Sequence, residues 1–273
     1  MGAGDAFICA GVESMTRVPM SGFNPMPNPV LAEQYPQAYF SMGITAENVA
    51  RKYDISRKEQ ETFAVLSQAK AAAAQSAGKL NDEIVPVKTP DGMVDKDSCL
   101  RPGTTVEKLG ELKPAFEEKG SVTAGTSSPL TDGASATLVT SEDYARANNL
   151  PILARIKSIA VAGCLPEIMG IGPVAASQKA LKRAGLTISD IDIIELNEAF
   201  ASQSLACIRD LGIDIAKVNL DGGAIALGHP LGATGARIVG KAASLMKREG
   251  KKYALATQCI GGGQGIATIL ESV

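Results

Sequence analysis

The single histidine of this 273-residue sequence, His229, stands between Gly228 and Pro230 in GGAIALGHPLGATGAR, residues 222–237. An imidazole titrates near neutrality and suits proton transfer, and the glycines before it let backbone and ligand approach closely. A structural histidine, hydrogen-bonded in a tight turn, is the other reading of the same residues. Cys259 closes the apolar run YALATQC and is followed, after Ile260, by glycines at 261–263. A thiol at a strand end beside exposed amides could work next to an oxyanion site, or could be a buried, inert cysteine. Asn197 lies between IDIIEL and EAFASQSLACIRDL, where a helix N-cap belongs and where α/β folds also place ligands. The segment TAGTSSP, residues 123–129, offers hydroxyls to a ligand amide or forms a polar turn. Arg101, with Lys88, Lys108 and Lys113, offers charge to a phosphate or simply a solvated face.

The elements that must hold these residues alternate regularly from residue 151 onward. ILARIKSIAV reads as a strand, PVAASQKALKRA as a helix stopped by Gly185, IDIIEL as a strand, and EAFASQSLACIRDL as a helix stopped by Gly212. A helix over residues 235–249, stopped by Gly250, precedes YALATQC and GIATILE, which the spacing predicts to pair as a hairpin. Strands alternating with helices imply an α/β layered domain. Upstream, residues 5–11 read as a short apolar strand that a sheet buries on both faces. Pro25, Pro27, Pro29 and Pro36 then mark an irregular excursion. Ser56 and Glu59 form a capping box opening a helix that ends before Gly78. A short strand at 83–87, a turn at Asp91–Gly92 and a loop-like insertion over 100–119 complete this region.

Hydrophobic content of 45% and a net charge of -2 point to a globular chain with no broad footprint for nucleic acid, and no apolar run is long enough for a membrane span. Cys9, Cys99, Cys164, Cys207 and Cys259 are widely spaced, form no CxxC pair and have one histidine for company. Neither a zinc site nor any other metal site nor a disulfide scaffold is expected, and a reducing compartment such as the cytoplasm fits. No targeting segment is visible at the start of the sequence.

Taken together, GVESM at 11–15, NEAFA at 197–201, GGAIALGHPLGATGAR at 222–237 and CIGGGQG at 259–265 resemble the thiolases in order and spacing, over the whole chain. The resemblance implies the five-layered αβαβα thiolase fold, built from two similar halves with a mixed five-stranded sheet in each. A partial N-terminal thiolase domain would occupy residues 1–150, including a loop domain at about 22–116, and a C-terminal domain 151–273. It implies an acetyl-CoA C-acyltransferase that cleaves 3-ketoacyl-CoA with coenzyme A, as in β-oxidation of fatty acids, or runs the reverse Claisen condensation. Coenzyme A and acyl-CoA would be substrates, with no tightly bound cofactor, and the full-length form a homodimer or homotetramer.

By the same resemblance His229 is the activating base and Cys259 the acid/base cysteine, while Asn197 positions a water in one oxyanion hole and the Gly261 amide serves a second. Ser128, Ala124 and Phe200 would line the pantetheine channel, Met42 would sit at the acyl end, and Arg101 near the nucleotide phosphates. Decarboxylating condensing enzymes use two histidines, and this sequence has one. Ser41, where acetoacetyl-CoA-specific relatives often carry histidine, leans toward degradative, broader-chain thiolases. The family's nucleophilic cysteine belongs upstream of GVESM, and Cys9 lies within that strand. The resemblance therefore predicts a chain lacking the N-terminal portion that carries the nucleophile, and inactive without it. A non-catalytic acyl-CoA-binding or assembly protein, and a thioester hydrolase built on Cys259 and His229, are the alternatives.

Overall fold

Strands with one or two apolar faces and helices with one apolar stripe must stack in layers, and the computed structural model, which describes residues 3–273, shows how. The strands are β1 (Ala6–Ser14), β2 (Val87–Thr89), β3 (Gly92–Val94), β4 (Asp132–Thr140), β5 (Arg155–Gly163), β6 (Ile193–Leu196), β7 (Tyr253–Ile260) and β8 (Gln264–Glu271). The helices are α1 (Pro29–Gln34), α2 (Met42–Lys52), α3 (Arg57–Ser76), α4 (Val106–Gly110), α5 (Glu142–Ala147), α6 (Gly172–Ala184), α7 (Ala201–Leu211), α8 (Ala224–Leu227) and α9 (Leu231–Glu249).

The main sheet runs in the order β5-β8-β7-β6, with β7 and β8 forming the expected hairpin and β6 pairing parallel to β7. Alternate residues face opposite layers. Ile193, Ala254 and Ala256 pack on Ile238, Ala242, Leu245 and Met246 of α9, whereas Ile194 and Leu255 pack with Ala176, Ala180 and Leu181 of α6. All of β6 is buried in consequence, which is why it reads as an unbroken apolar run save for one glutamate. Beyond α9 lies an antiparallel pair, β1 with β4. Ser135 donates from its hydroxyl to the Ala233 carbonyl at 2.6 Å and Thr137 to that of Ala236 at 3.0 Å. A side chain at Gly11 would collide with the Gly232 carbonyl, and one at Gly232 would lie 2.5 Å from that of Val12, so only glycine lets this strand lie against the start of α9.

Local signals are met where they are strongest. The Ser56–Glu59 capping box opens α3, and Gly185, Gly212 and Gly250 close α6, α7 and α9 in the left-handed conformation. Several expectations need correcting. Strand β1 is buried on neither side to the extent expected: Ile8 is 77% and Val12 74% exposed, because among the described residues β4 is the only strand beside it and α9 covers one face. The main sheet has four strands where five were expected, and Val218 takes the next position beside β6 with a single parallel bridge to Ile194. The strand read at 83–87 starts instead at Val87, just after Pro86, which has no N–H for a ladder, and its turn falls at Pro90–Asp91. Helix α9 begins at Leu231 and not at 235, since tertiary packing tolerates the glycines of its first turns.

No helix among the described residues is long and apolar enough to cross a membrane. Leu245 is fully buried where α9 meets the main sheet. Leu245→Ala is expected to lower unfolding free energy by about 2–5 kcal/mol, the usual range for a large-to-small core change, as read by urea denaturation.

Candidate active site

The parallel pairing of β6 and β7 sets Leu196 opposite Thr257, so the carboxyl ends of both strands emerge at one edge of the sheet. Asn197 extends the ladder, its N–H donating to the Thr257 carbonyl at 3.0 Å. Helix α7 starts only at Ala201, with Phe200 in the N-cap position. Asn197 is therefore no N-cap, and Glu198, Ala199 and Phe200 precede the helix they were expected to open. Asn197 is buried and its side-chain nitrogen lies 3.3 Å from His229 Nε2.

The opposite ring nitrogen of His229, Nδ1, is 2.6 Å from the Thr234 hydroxyl, which itself sits 3.0 Å from the Pro230 carbonyl. With the hydroxyl proton committed to Pro230, the ring carries its proton on Nδ1 and presents a bare Nε2 to the Asn197 amide. The His229 N–H donates to Thr131 Oγ1 at 3.1 Å. Gly228 turns the chain at φ 96°, and a side chain there would run to within 2.6 Å of Thr131. Burial of the ring, helped by the nearby Arg237 charge, lowers the His229 pKa to about 4. The imidazole is neutral at pH 7, in its proton-accepting form.

Cys259 is paired with Gly265 near the end of β7. Burial pushes its thiol up to about 12, with Cys164 adding in the same direction, so it rests as the protonated S–H. Burial likewise raises the thiols of Cys99, Cys164 and Cys207, the opposite of what an acyl-accepting thiolate requires. Cys9 is exposed on β1.

The remaining candidates gather around these strand ends. Gly261 is exposed in the turn between β7 and β8, and a side-chain carbon there would lie 4.0 Å from the Met42 sulfur at the start of α2. Next to Met42, Gly43 lies against the Phe116 ring, which meets Phe200 edge to face at 5.9 Å. Phe200 bridges Ser127, and the Ser128 N–H donates to the Ala199 carbonyl at 3.0 Å. The TAGTSSP segment is no ordinary polar turn: Ala124 begins a short 3-10 turn, and Thr123, Thr126 and Ser127 are buried. Arg101 stands apart, its side chain exposed. Its backbone N–H reaches Gln68, which in turn holds the Ile225 carbonyl of α8. Sequence reasoning missed Thr131, Thr234 and Glu198. Thr234 follows Pro230 by four residues, a spacing at which a hydroxyl bonds back to a carbonyl. Thr131 carries no local signal, being 98 residues from its partner.

Residues 1–143 match the family described as thiolase, N-terminal domain, and residues 150–272 the thiolase, C-terminal domain. The chain belongs to the thiolase family. This thiolase is 53% identical over 281 residues to a 3-ketoacyl-CoA thiolase of Pseudoalteromonas translucida (strain TAC 125), an alignment covering 100% of the chain and 72% of that relative. It superposes on the dimeric peroxisomal thiolase of Saccharomyces cerevisiae with a TM-score of 0.92 at 44% identity, covering 100% of this chain and 70% of that one. Human mitochondrial 3-ketoacyl-CoA thiolase in complex with CoA gives 0.89 at 43% identity, covering 98% and 71% respectively.

His229 is the thiolase's only histidine, so its ring can be followed alone by nitrogen-15 NMR. The midpoint is expected near pH 4, not near 6.5. The folded pKa lies below the unfolded one, so the unfolded chain binds the extra proton first, and this residue's contribution to stability is lost as pH falls from about 6.5 toward 4. A midpoint near 6.5 would show the ring to be solvated.

Proposed function

We propose that this chain handles the enolate side of a thiolase reaction on acyl-CoA, and the observation that carries the reading is the placement of His229 Nε2 at 3.3 Å from the side-chain nitrogen of buried Asn197. In cleavage of a 3-ketoacyl-CoA, a thiolate attacks the keto carbon and the C2–C3 bond breaks. Its electron pair moves to C2, forming the enolate of acetyl-CoA. Cys259, held as a thiol by burial, gives its proton to C2, and the resulting thiolate takes the proton of the incoming coenzyme A thiol. That thiol then displaces the acyl group. Condensation reverses each transfer.

His229 is the base that accepts the proton of the attacking thiol, after which its Nε2–H becomes a donor to the thioester oxygen. Asn197 orients a water toward the same oxygen, and the Gly261 amide meets the developing oxyanion on the other side. Preorganised donors of this kind stabilise charge that exists only in the transition state. Met42 closes the acyl end, Phe200, Ser128 and Ala124 flank the pantetheine arm, and exposed Arg101 faces the nucleotide phosphates. A thiol held near 12 is a poor nucleophile and a suitable proton donor, which supports proton transfer at Cys259 over thioester hydrolysis through it.

Exchange of the acetyl-CoA methyl protons with D2O tests the enolate step without any acyl-enzyme. The chain is expected to catalyse it, and Cys259→Ala to slow it by about 10²–10⁴-fold, the usual worth of a positioned acid/base. Exchange undiminished in that variant, or release of free coenzyme A in place of exchange, would refute the assignment.

A further inference from the structure

We propose that Glu198 is a positioning residue whose carboxylate sets the Asn197–His229 geometry by tying three segments of the chain together. Glu198 is 1% exposed and lies at the strand end next to Asn197. Its Oε2 accepts from the Ser67 hydroxyl of α3 at 2.6 Å and from the Ile225 N–H of α8 at 3.1 Å. Its Oε1 accepts from the Asn219 amide at 2.7 Å. Asn219 in turn grips Leu196 from both sides, accepting its N–H at 2.9 Å and donating to its carbonyl at 2.8 Å. Ser67 closes the circuit by accepting the Gly223 N–H at 3.1 Å.

The network therefore clamps Leu196, the residue before Asn197, and α8, the turn that delivers Gly228 and His229. Asn197 is held by its backbone N–H on Thr257, while its side chain meets His229 through nitrogen and its side-chain oxygen has no protein partner. A side chain at Gly223 would collide with the Glu198 carboxylate and crowd Asn219, so this glycine of the histidine motif makes room for the clamp. Burial raises the Glu198 carboxyl from its ordinary range, while its three donors and the Lys70 charge on α3 oppose the rise. The other charge near the working pair is Arg237 on α9, and Glu195 lies on β6 within reach of the Arg237 and Lys241 charges of the same helix. A buried polar network that is fully satisfied fixes one arrangement of the groups it joins.

This inference rests on reading Asn197 and His229 as the working pair, and the single histidine separates the two. The full chain, labelled with nitrogen-15 histidine, is followed by NMR in four forms: parent, Glu198→Gln, Ser67→Ala and, as a control of similar instability, Leu245→Ala. In the parent, one tautomer with the proton on Nδ1 is expected, with signals that move when acetyl-CoA is added. In Glu198→Gln and Ser67→Ala, mixed tautomers and a midpoint raised by about one unit or more from its buried value are expected as water gains access to the ring. Leu245→Ala should leave both unchanged. If the two clamp variants melt earlier but keep the parent's tautomer and midpoint, Glu198 is merely structural and the inference fails. If the parent's ring ignores acetyl-CoA, the reading of the working pair fails instead. Ser67→Ala removes one hydroxyl that is not a hydrogen-bond partner of the ring and decides the question even where Glu198→Gln does not fold.

Discussion

The parallel register of Leu196 with Thr257 is the constraint on which the rest of the site depends. Parallel neighbours cannot be joined by a hairpin, so the chain leaving β6 must cross back over the sheet before β7 can begin. That crossing carries α7 along one face and α9 along the other. His229 stands at the entry to α9, and Asn197 and Cys259 stand where the two strands finish. One pairing thus brings a nitrogen base, an amide and a thiol to the same edge of the sheet from positions spread over 63 residues, and burial of both sheet faces makes that pairing costly to shift.

The same burial sets the protonation states. Removing an imidazole from water disfavours its cation, and removing a thiol disfavours its anion, so His229 is drawn down and Cys259 pushed up. Base and acid are both held neutral at pH 7 by one environment, without a charged partner bonded to either. The Arg237 charge adds to the effect of burial on His229. Glu198 accepts hydrogen bonds from donors on α3, α8 and Asn219, and Asp221 is ion-paired with Lys241 and Arg248 of α9. A buried polar network with complete hydrogen bonding holds the segments it joins in one arrangement.

Much of the fold was legible because its signals are short-range. The Ser56–Glu59 box, the glycine stops at 185, 212 and 250, and the β7–β8 hairpin each depend on backbone geometry within a turn or two, and each formed where the residues predict. His229, Cys259 and Asn197 stood out as candidates because glycine runs and strand ends are visible in one dimension. Partnerships were not visible. Asn197 looked like an N-cap and Glu198 like a first-turn helix acid, since a strand followed by an amphipathic run fits that pattern; packing instead held residues 197–200 extended and buried the acid. The outward face of β1 carries Ile8, which read as core, and Val12 beyond the strand that was read, but hydrophobicity says that a residue favours burial and not which surface will cover it. Thr131 reaches His229, Met42 reaches Gly261 and Ser67 reaches Glu198 across gaps of 98, 219 and 131 residues. Residue type and spacing can name the groups able to do chemistry, whereas their distances, tautomers and protonation follow from layers of packing that no local pattern encodes.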